Sequence, residues 1–143
     1  MGLDVGSRTI GVAVGDELGL TAQPLKTIRR KSKQEDVKAI KEIMAEFDIA
    51  KIVVGLPKNM DGTLGKQAET TFRWIKDVQK ELKVPMITWD ERLSTVGASR
   101  VLLEADLSRE KRKKVIDKLA AVLILQGYLD KTRKLTNDPT LPA

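Results

Sequence analysis

The run Lys51-Ile52-Val53-Val54-Gly55 constrains the fold more than any other stretch of the chain. A strand with one face in water alternates apolar and polar residues. This run does not alternate, so both of its faces need cover. A chain that contains it must place other elements above and below a sheet.

The flanking residues supply those elements. Before the run, three short strands are expected: Gly2 to Val5, Thr9 to Val14 and Leu20 to Ile28. Turns at Gly6-Ser7-Arg8 and Gly15-Asp16-Glu17-Leu18-Gly19 join them, which implies an antiparallel meander. Pro24 in the third strand suggests an edge, where a missing N–H costs nothing. Ser32 and Glu35 form a capping box ahead of an apolar stripe at Val37, Ile40, Met44 and Phe47, which predicts a helix. A second amphipathic helix is marked by Ala68, Phe72, Ile75, Val78 and Leu82. Pro85 then opens a strand from Met86 to Trp89, ending at Asp90. A third helix is expected from the Ser94-Thr95 cap to about Glu104. The last runs from about Arg109 to Arg133, with Ser108 as its cap and only Asp117 and Lys118 polar between Val115 and Leu125. The order β-β-β-α-β-α-β-α-α describes an α/β fold with one mixed sheet and helices on its faces. A chain of 143 residues fits one domain, read as 1–134, with a loose tail at 135–143 containing two prolines.

Composition narrows the chemistry. The chain has no cysteine, which removes disulfides, thiolate metal sites and cysteine nucleophiles. It has no histidine, which removes the usual general base and every histidine-bearing metal site. An enzyme built from it works with carboxylates, Lys, Arg, hydroxyls and backbone amides, and a catalytic metal would be an oxygen-bound Mg²⁺ or Mn²⁺. No apolar run approaches the roughly 20 residues of a membrane span. The N-terminus lacks the pattern of a signal peptide, so a cytoplasmic protein with no membrane partner is expected.

Acidic residues stand where a fold alone has no use for them. Asp4 lies within or at the end of the first strand, Asp90 and Glu91 follow the last strand, and Asp117 interrupts the apolar stretch of the last helix beside Ala120, Ala121 and Ile124. Each has a plainer reading. Asp4 could bond to turn amides, Asp90 and Glu91 could pair with Arg92, and Asp117 could pair with Lys113 or Lys114. Taken together they come from sequence-distant elements that can meet at one end of a sheet. Converging carboxylates repel unless divalent cations neutralise them. Two Mg²⁺ ions so held activate water and stabilise the leaving oxygen in phosphodiester hydrolysis, with no histidine required.

The basic residues match such a substrate. Lys plus Arg exceed Asp plus Glu by 26 to 20, a net charge of +6. They cluster at Arg29-Arg30-Lys31-Ser32-Lys33 and at Arg109-Glu110-Lys111-Arg112-Lys113-Lys114. Cations at the start of a helix oppose its dipole, which hints at phosphate binding; a solvated charged face is the alternative. Five aromatics in 143 residues disfavour a base-stacking single-strand binder and favour a duplex or branched backbone. The loop from Gly55 to Lys66 superficially resembles a phosphate loop. The Walker pattern fails, with Met60 where Gly is required and Gln67 where Ser or Thr is required.

Four motifs in order, Leu3-Asp4-Val5-Gly6 with Ile10 to Asp16, Ile52 to Pro57 with Asp61-Gly62, Asp90 to Thr95, and Asp117 to Leu125, resemble the YqgF family, described as Holliday junction resolvases and pre-16S rRNA nucleases. The resemblance covers nearly the whole chain. It implies an RNase H-like fold, a five-stranded mixed sheet flanked by helices, and metal-dependent cleavage of nucleic acid. By motif, Asp4, Glu91 and Asp117 would be catalytic, and these three with Asp90 would hold Mg²⁺ or Mn²⁺. Arg8, Lys58 and Arg92, in the same motifs, would face substrate phosphates, as would Arg112 and Lys113 of the basic helix start. Junction resolvases of this fold carry a glutamate ending the fourth strand, where this chain has Gly55-Leu56-Pro57.

The resulting expectation is an endonuclease on structured nucleic acid, foremost one that processes the 5′ end of pre-16S rRNA in ribosome biogenesis. The alternatives are a Holliday junction resolvase and a non-catalytic nucleic-acid-binding module of ribosome assembly. The partners implied are structured RNA or branched DNA and ribosomal precursor particles, with the chain a monomer or a homodimer. A sugar-kinase-like or actin-like ATPase also carries an aspartate on its first strand, but it needs two lobes, and this chain holds one.

Overall fold

A computed structural model describes residues 1–57, 61–91 and 108–136, with side chains undescribed at 112–118 and 134–136. Its elements are β1 (Gly2–Val5), β2 (Thr9–Gly15), β3 (Ala22–Arg29), α1 (Lys33–Phe47), β4 (Ile52–Leu56), α2 (Lys66–Leu82), β5 (Met86–Asp90) and α3 (Arg109–Thr136). The strands form one sheet in the order β3-β2-β1-β4-β5. The β1–β2 and β2–β3 pairs are antiparallel, while β4 runs parallel to both β1 and β5. The expected mixed five-stranded sheet is therefore present. The helix expected over 95–104 lies outside the described residues.

Period-two alternation sorts the strands into two layers. Leu3, Ile10, Val12, Val14, Ile52 and Val54 meet Val37, Ile40 and Ile43 of α1 and Trp74, Ile75, Val78 and Leu82 of α2. On the other face Ala13 and Val53 meet Ala121, Ile124 and Leu125 of α3. All five residues of β4 are buried, as the unalternating run requires.

The α3 face of the sheet is lined with small residues, so the helix backbone lies almost on the strands. A methyl group at Gly2 would stand 2.7 Å from Leu125 Cβ and 2.9 Å from the Ala121 carbonyl oxygen. Side chains of α3 also serve the sheet's edge. The Ala22 N–H donates to Gln126 Oε1 at 2.9 Å, and Gln126 Nε2 donates to the Leu20 carbonyl at 2.9 Å. That clamp holds the chain as it enters β3, which starts two residues later than the sequence suggests.

Pro24 sits on the edge strand as expected. It pairs with Ala13 just where the β2–β3 register shifts between Val12 and Ala13. A bulge on an edge tolerates a residue with no N–H. Ser32 caps α1, its Oγ accepting from the Glu35 N–H at 3.2 Å.

Two apolar stripes are displaced from their expected positions. Phe47 and Phe72 stand 39% and 40% exposed, whereas Ile43, Thr71 and Trp74 are buried. In α1 the buried face follows 37, 40 and 43; in α2 it follows 68, 71, 74, 75, 78 and 82. Phe47 and Phe72 satisfy helical spacing but stand beside the faces that each helix turns to the core. Asp36, in the first turn of α1, which no apolar pattern marks, is 1% exposed. Its Oδ2 accepts from Arg30 Nε at 3.0 Å and from Trp74 Nε1 at 3.4 Å.

Candidate nuclease site

Asp4 is placed by the alternation of β1. Leu3 enters the α1–α2 core, so Asp4 faces α3. It pairs with Gly11 of β2, and a methyl group at Gly11 would lie 3.7 Å from both Asp4 Cβ and Ala121 Cβ. Gly11 thus leaves the space in which strand carboxylate and helix meet.

The run of α3 follows from its contacts. Leu125 packs at Gly2 and Ala121 at the level of Asp4, so the helix runs antiparallel to β1. Asp117 stands four residues before Ala121, on the same helix face and one turn farther toward the C-terminal end of β1. Its side chain lies outside the described residues.

Glu91 arrives from the other side. In β5, Ile87 pairs with Val53 and Trp89 with Gly55, positions on the α3 face. The same alternation carries Glu91 to that face. Its side chain folds back over the end of β4, which Gly55 makes possible. A methyl group at position 55 would overlap Ile124 Cδ1 and lie 2.6 Å from Glu91 Oε1 and 2.9 Å from Glu91 Cγ. The space that a fourth-strand glutamate would need is filled here by Glu91 from the next strand.

Trp89 anchors this arrangement. Its ring meets Tyr128 edge-on with centroids 6.5 Å apart, and the Lys131 ammonium lies 5.8 Å from its centroid. Gly127 gives it room, since a methyl group there would sit 2.9 Å from Trp89 Cζ2. These contacts tie the end of β5 to α3, immediately before the acidic pair.

The electrostatics of the site are those of too much negative charge in too little water. The Glu91 carboxyl is raised from its ordinary 4.5 to about 7. Burial is the largest cause, followed by the charge of Asp4, a hydrogen bond to Asp4 and the charge of Asp90. A shared proton between Asp4 and Glu91 relieves the repulsion. A divalent cation relieves it more fully, and hard carboxylate oxygens suit Mg²⁺ or Mn²⁺.

Asp4, Asp90 and Glu91 therefore gather at the C-terminal ends of β1 and β5. Asp90, registered opposite Leu56, belongs to the other face by alternation and acts on Glu91 through its charge. Among the described residues no group of three or more Asp, Glu, His or Cys side chains is placed to hold an ion. Arg8 is exposed in the β1–β2 turn at the same end of the sheet. Lys58 and Arg92 lie outside the described residues, as do the side chains of Arg112 and Lys113 at the start of α3. Gly55 and Gly11 are the site residues that sequence patterning passed over. Their only signal is a small residue where a strand offers space to a neighbour's side chain. Among the described residues no helix is long and apolar enough to cross a membrane.

The chain is similar in sequence and in fold to known proteins. A family model described as "RuvX: Holliday junction resolvase" matches residues 1–131. A relative from Clostridioides difficile (strain 630), named "Putative pre-16S rRNA nuclease", is 61% identical over 130 residues, covering 91% of this chain and 92% of that one. One of the same name from Desulforamulus reducens is 54% identical over 134 residues, covering 94% and 98%. Among solved structures, T. thermophilus RuvC in complex with a Holliday junction substrate superposes with a TM-score of 0.54 at 14% identity, covering 92% of this chain and 93% of that one. At that identity the likeness is one of fold, and it marks the architecture as RNase H-like.

Proposed function

Because the chain belongs to the RuvX (YqgF) family, we propose that it is a divalent-metal-dependent endonuclease that processes the 5′ end of pre-16S rRNA during ribosome biogenesis. The observation that carries the chemistry is the contact of Asp4 with Glu91, carboxyls from distant strands; burial first, and then the charge of Asp4, raises the Glu91 carboxyl to about 7. The relatives named above carry the choice of RNA.

The residues that would hold Mg²⁺ or Mn²⁺ are Asp4, Glu91 and Asp117, with Asp90 beside them. When bound, the metal supplies electrophilic stabilisation to the phosphoryl oxygens and lowers the pKa of a nearby water. The chain's own contribution is positional and electrostatic. Asp4 is fixed by four registered pairs between β1 and β2, and Glu91 is fixed over Gly55, so neither carboxylate must reorganise when substrate arrives. Burial and the neighbouring carboxylates leave Glu91 able to hold a proton near neutral pH, a proton that a bound cation would displace. Asp4, Glu91 and Asp117 would be the catalytic set. Arg8, Lys58, Arg92, Arg112 and Lys113 would meet substrate phosphates and orient the scissile bond. Hydrolysis adds water across one P–O ester bond, leaving a phosphate on one side and a hydroxyl on the other.

The nuclease unit would be one domain over 1–134, followed by a tail at 135–143, acting in the cytoplasm on ribosomal precursor particles. A second reading, resolution of four-way DNA junctions, is favoured by the family description and by the likeness to RuvC. It requires a dimer, since a junction offers two symmetric strands.

A cleavage panel with Mg²⁺ or Mn²⁺ separates these readings. Precursor rRNA leaders and four-way DNA junctions are offered to the wild type and to Asp4→Asn. Cutting of the leader by the wild type, with Asp4→Asn binding but not cutting, is the expected result. Cutting of the junction alone selects resolution. Binding without any metal-dependent cut would leave a non-catalytic assembly module.

A further inference from the structure

A groove of about 700 Å³ opens at the same end of the sheet as Asp4 but on the opposite face of β1. The β1–β2 turn at Gly6 and Ser7 forms one side, and Arg30 and Lys33 at the β3–α1 junction form another. The flank of α2 closes it with Lys66, Thr70, Arg73 and Asp77, which recur at three- and four-residue spacing as one stripe.

Four cations thus line one concavity. Two are matched within the protein: Arg30 Nε lies 3.0 Å from Asp36 Oδ2, and Lys33 Nζ lies 2.5 Å from Asp77 Oδ2. Lys66 and Arg73 have no side-chain hydrogen bond or ion pair among the described residues. Like charges focused in a concave wall attract a polyanion. The first turn of α2 adds to this, because its cap, Gly65, makes no side-chain hydrogen bond and leaves backbone N–H groups for an outside acceptor.

The position of the groove indicates which polyanion. Strand rise places Gly6 about 7 Å beyond Asp4, a distance on the order of one nucleotide step. Arg30 also donates to the Gly6 carbonyl at 2.6 Å, so the groove wall is tied to the turn that follows Asp4.

We propose that this groove binds the sugar–phosphate backbone of the nucleic acid outside the cut position, with Lys66 and Arg73 each meeting a phosphate. The proposal rests on the nuclease reading above.

The test compares Lys66→Gln/Arg73→Gln with Lys38→Gln/Lys41→Gln, which removes the same charge from exposed positions on α1 outside the groove. The probes are a fluorescent four-way DNA junction and a fluorescent stem–loop RNA. Binding is titrated against salt in EDTA, and cleavage is read separately with Mg²⁺. Losing two phosphate contacts on a duplex should flatten the log–log salt slope by about 1.8 and weaken binding roughly 60-fold at 0.1 M salt. KM should rise with kcat retained, and Lys66→Arg should keep wild-type affinity. Loss with one probe only assigns the groove to that nucleic acid. An unchanged slope in Lys66→Gln/Arg73→Gln, or an equal loss in Lys38→Gln/Lys41→Gln, overturns the groove while leaving the nuclease reading intact. A wild type that binds neither probe overturns the nuclease reading itself.

Discussion

Replacing Glu91 by Gln should change how stability depends on pH, in a window set by the carboxyl itself. In the folded chain Glu91 titrates at about 7, against 4.5 ordinarily. A group whose folded pKa is raised stabilises the fold while it is protonated in the folded state. That contribution is complete below about pH 4.5 and is lost as pH rises to about 7. The full difference corresponds to about 3.4 kcal/mol at 1.36 kcal/mol per pH unit. Glu91 keeps part of its surface in water and shares its proton with Asp4, which reduces the expected loss to about 2 kcal/mol. For a domain of this size that is about 4–8 °C in Tm. Gln removes the charge and keeps the shape. Glu91→Gln should therefore match the wild type near pH 4.5 and exceed it by about 2 kcal/mol at pH 8. The assay is urea unfolding in EDTA across pH 4.5 to 8, repeated with 10 mM Mg²⁺. Magnesium should stabilise the wild type more at pH 8 than at pH 5.5, because below 7 it competes with the proton, and should do little for Glu91→Gln. Parallel pH–stability curves for the two proteins in EDTA would refute the argument that Asp4 and Glu91 share one crowded pocket.

Three further outcomes follow from the same geometry. Gly55→Ala should abolish cleavage and cost about 1–3 kcal/mol by overpacking against Ile124 and Glu91, whereas Gly15→Ala, whose new methyl would lie 3.9 Å from Leu129 Cδ1, should be near neutral; activity and melting of the pair decide this. Asp36→Ala should cost about 3 kcal/mol, because it strips Arg30 of its buried partner and Trp74 of its acceptor; denaturant titration measures it. Gly127→Ala should lower activity more than stability, since displacing the Trp89 ring shifts the strand end that carries Glu91; comparing kcat with Tm tests this.

Much of the architecture was legible in the residues because its determinants are local. Turn glycines, the Ser32 cap and the unalternating run in β4 each follow from a few neighbouring residues, and the structure places strands and helices accordingly. Pro24 identified the edge strand for the same reason. Register across distant strands is not local. Nothing near position 36 marks a carboxylate buried against Arg30 and Trp74, since the three meet only when α1 packs beside α2. Phe47 and Phe72 carried the right spacing, yet only the rotation of each helix on the sheet decides which of its residues are covered.

The same division holds for the site. The sequence by itself determined the chemistry available: carboxylates without histidine or cysteine, an excess of cations, and an acidic residue on each of β1, the end of β5 and α3. Composition and spacing alone do not say how Asp90 and Glu91 are disposed toward Asp4. The tertiary structure separates their positions, because strand alternation sends Glu91 to the face of Asp4 and a glycine in the neighbouring strand leaves the space it fills, while Asp90 belongs to the other face. Side-chain type is written one residue at a time, whereas the cost of crowding two carboxylates depends on distances that exist only after the strands have paired.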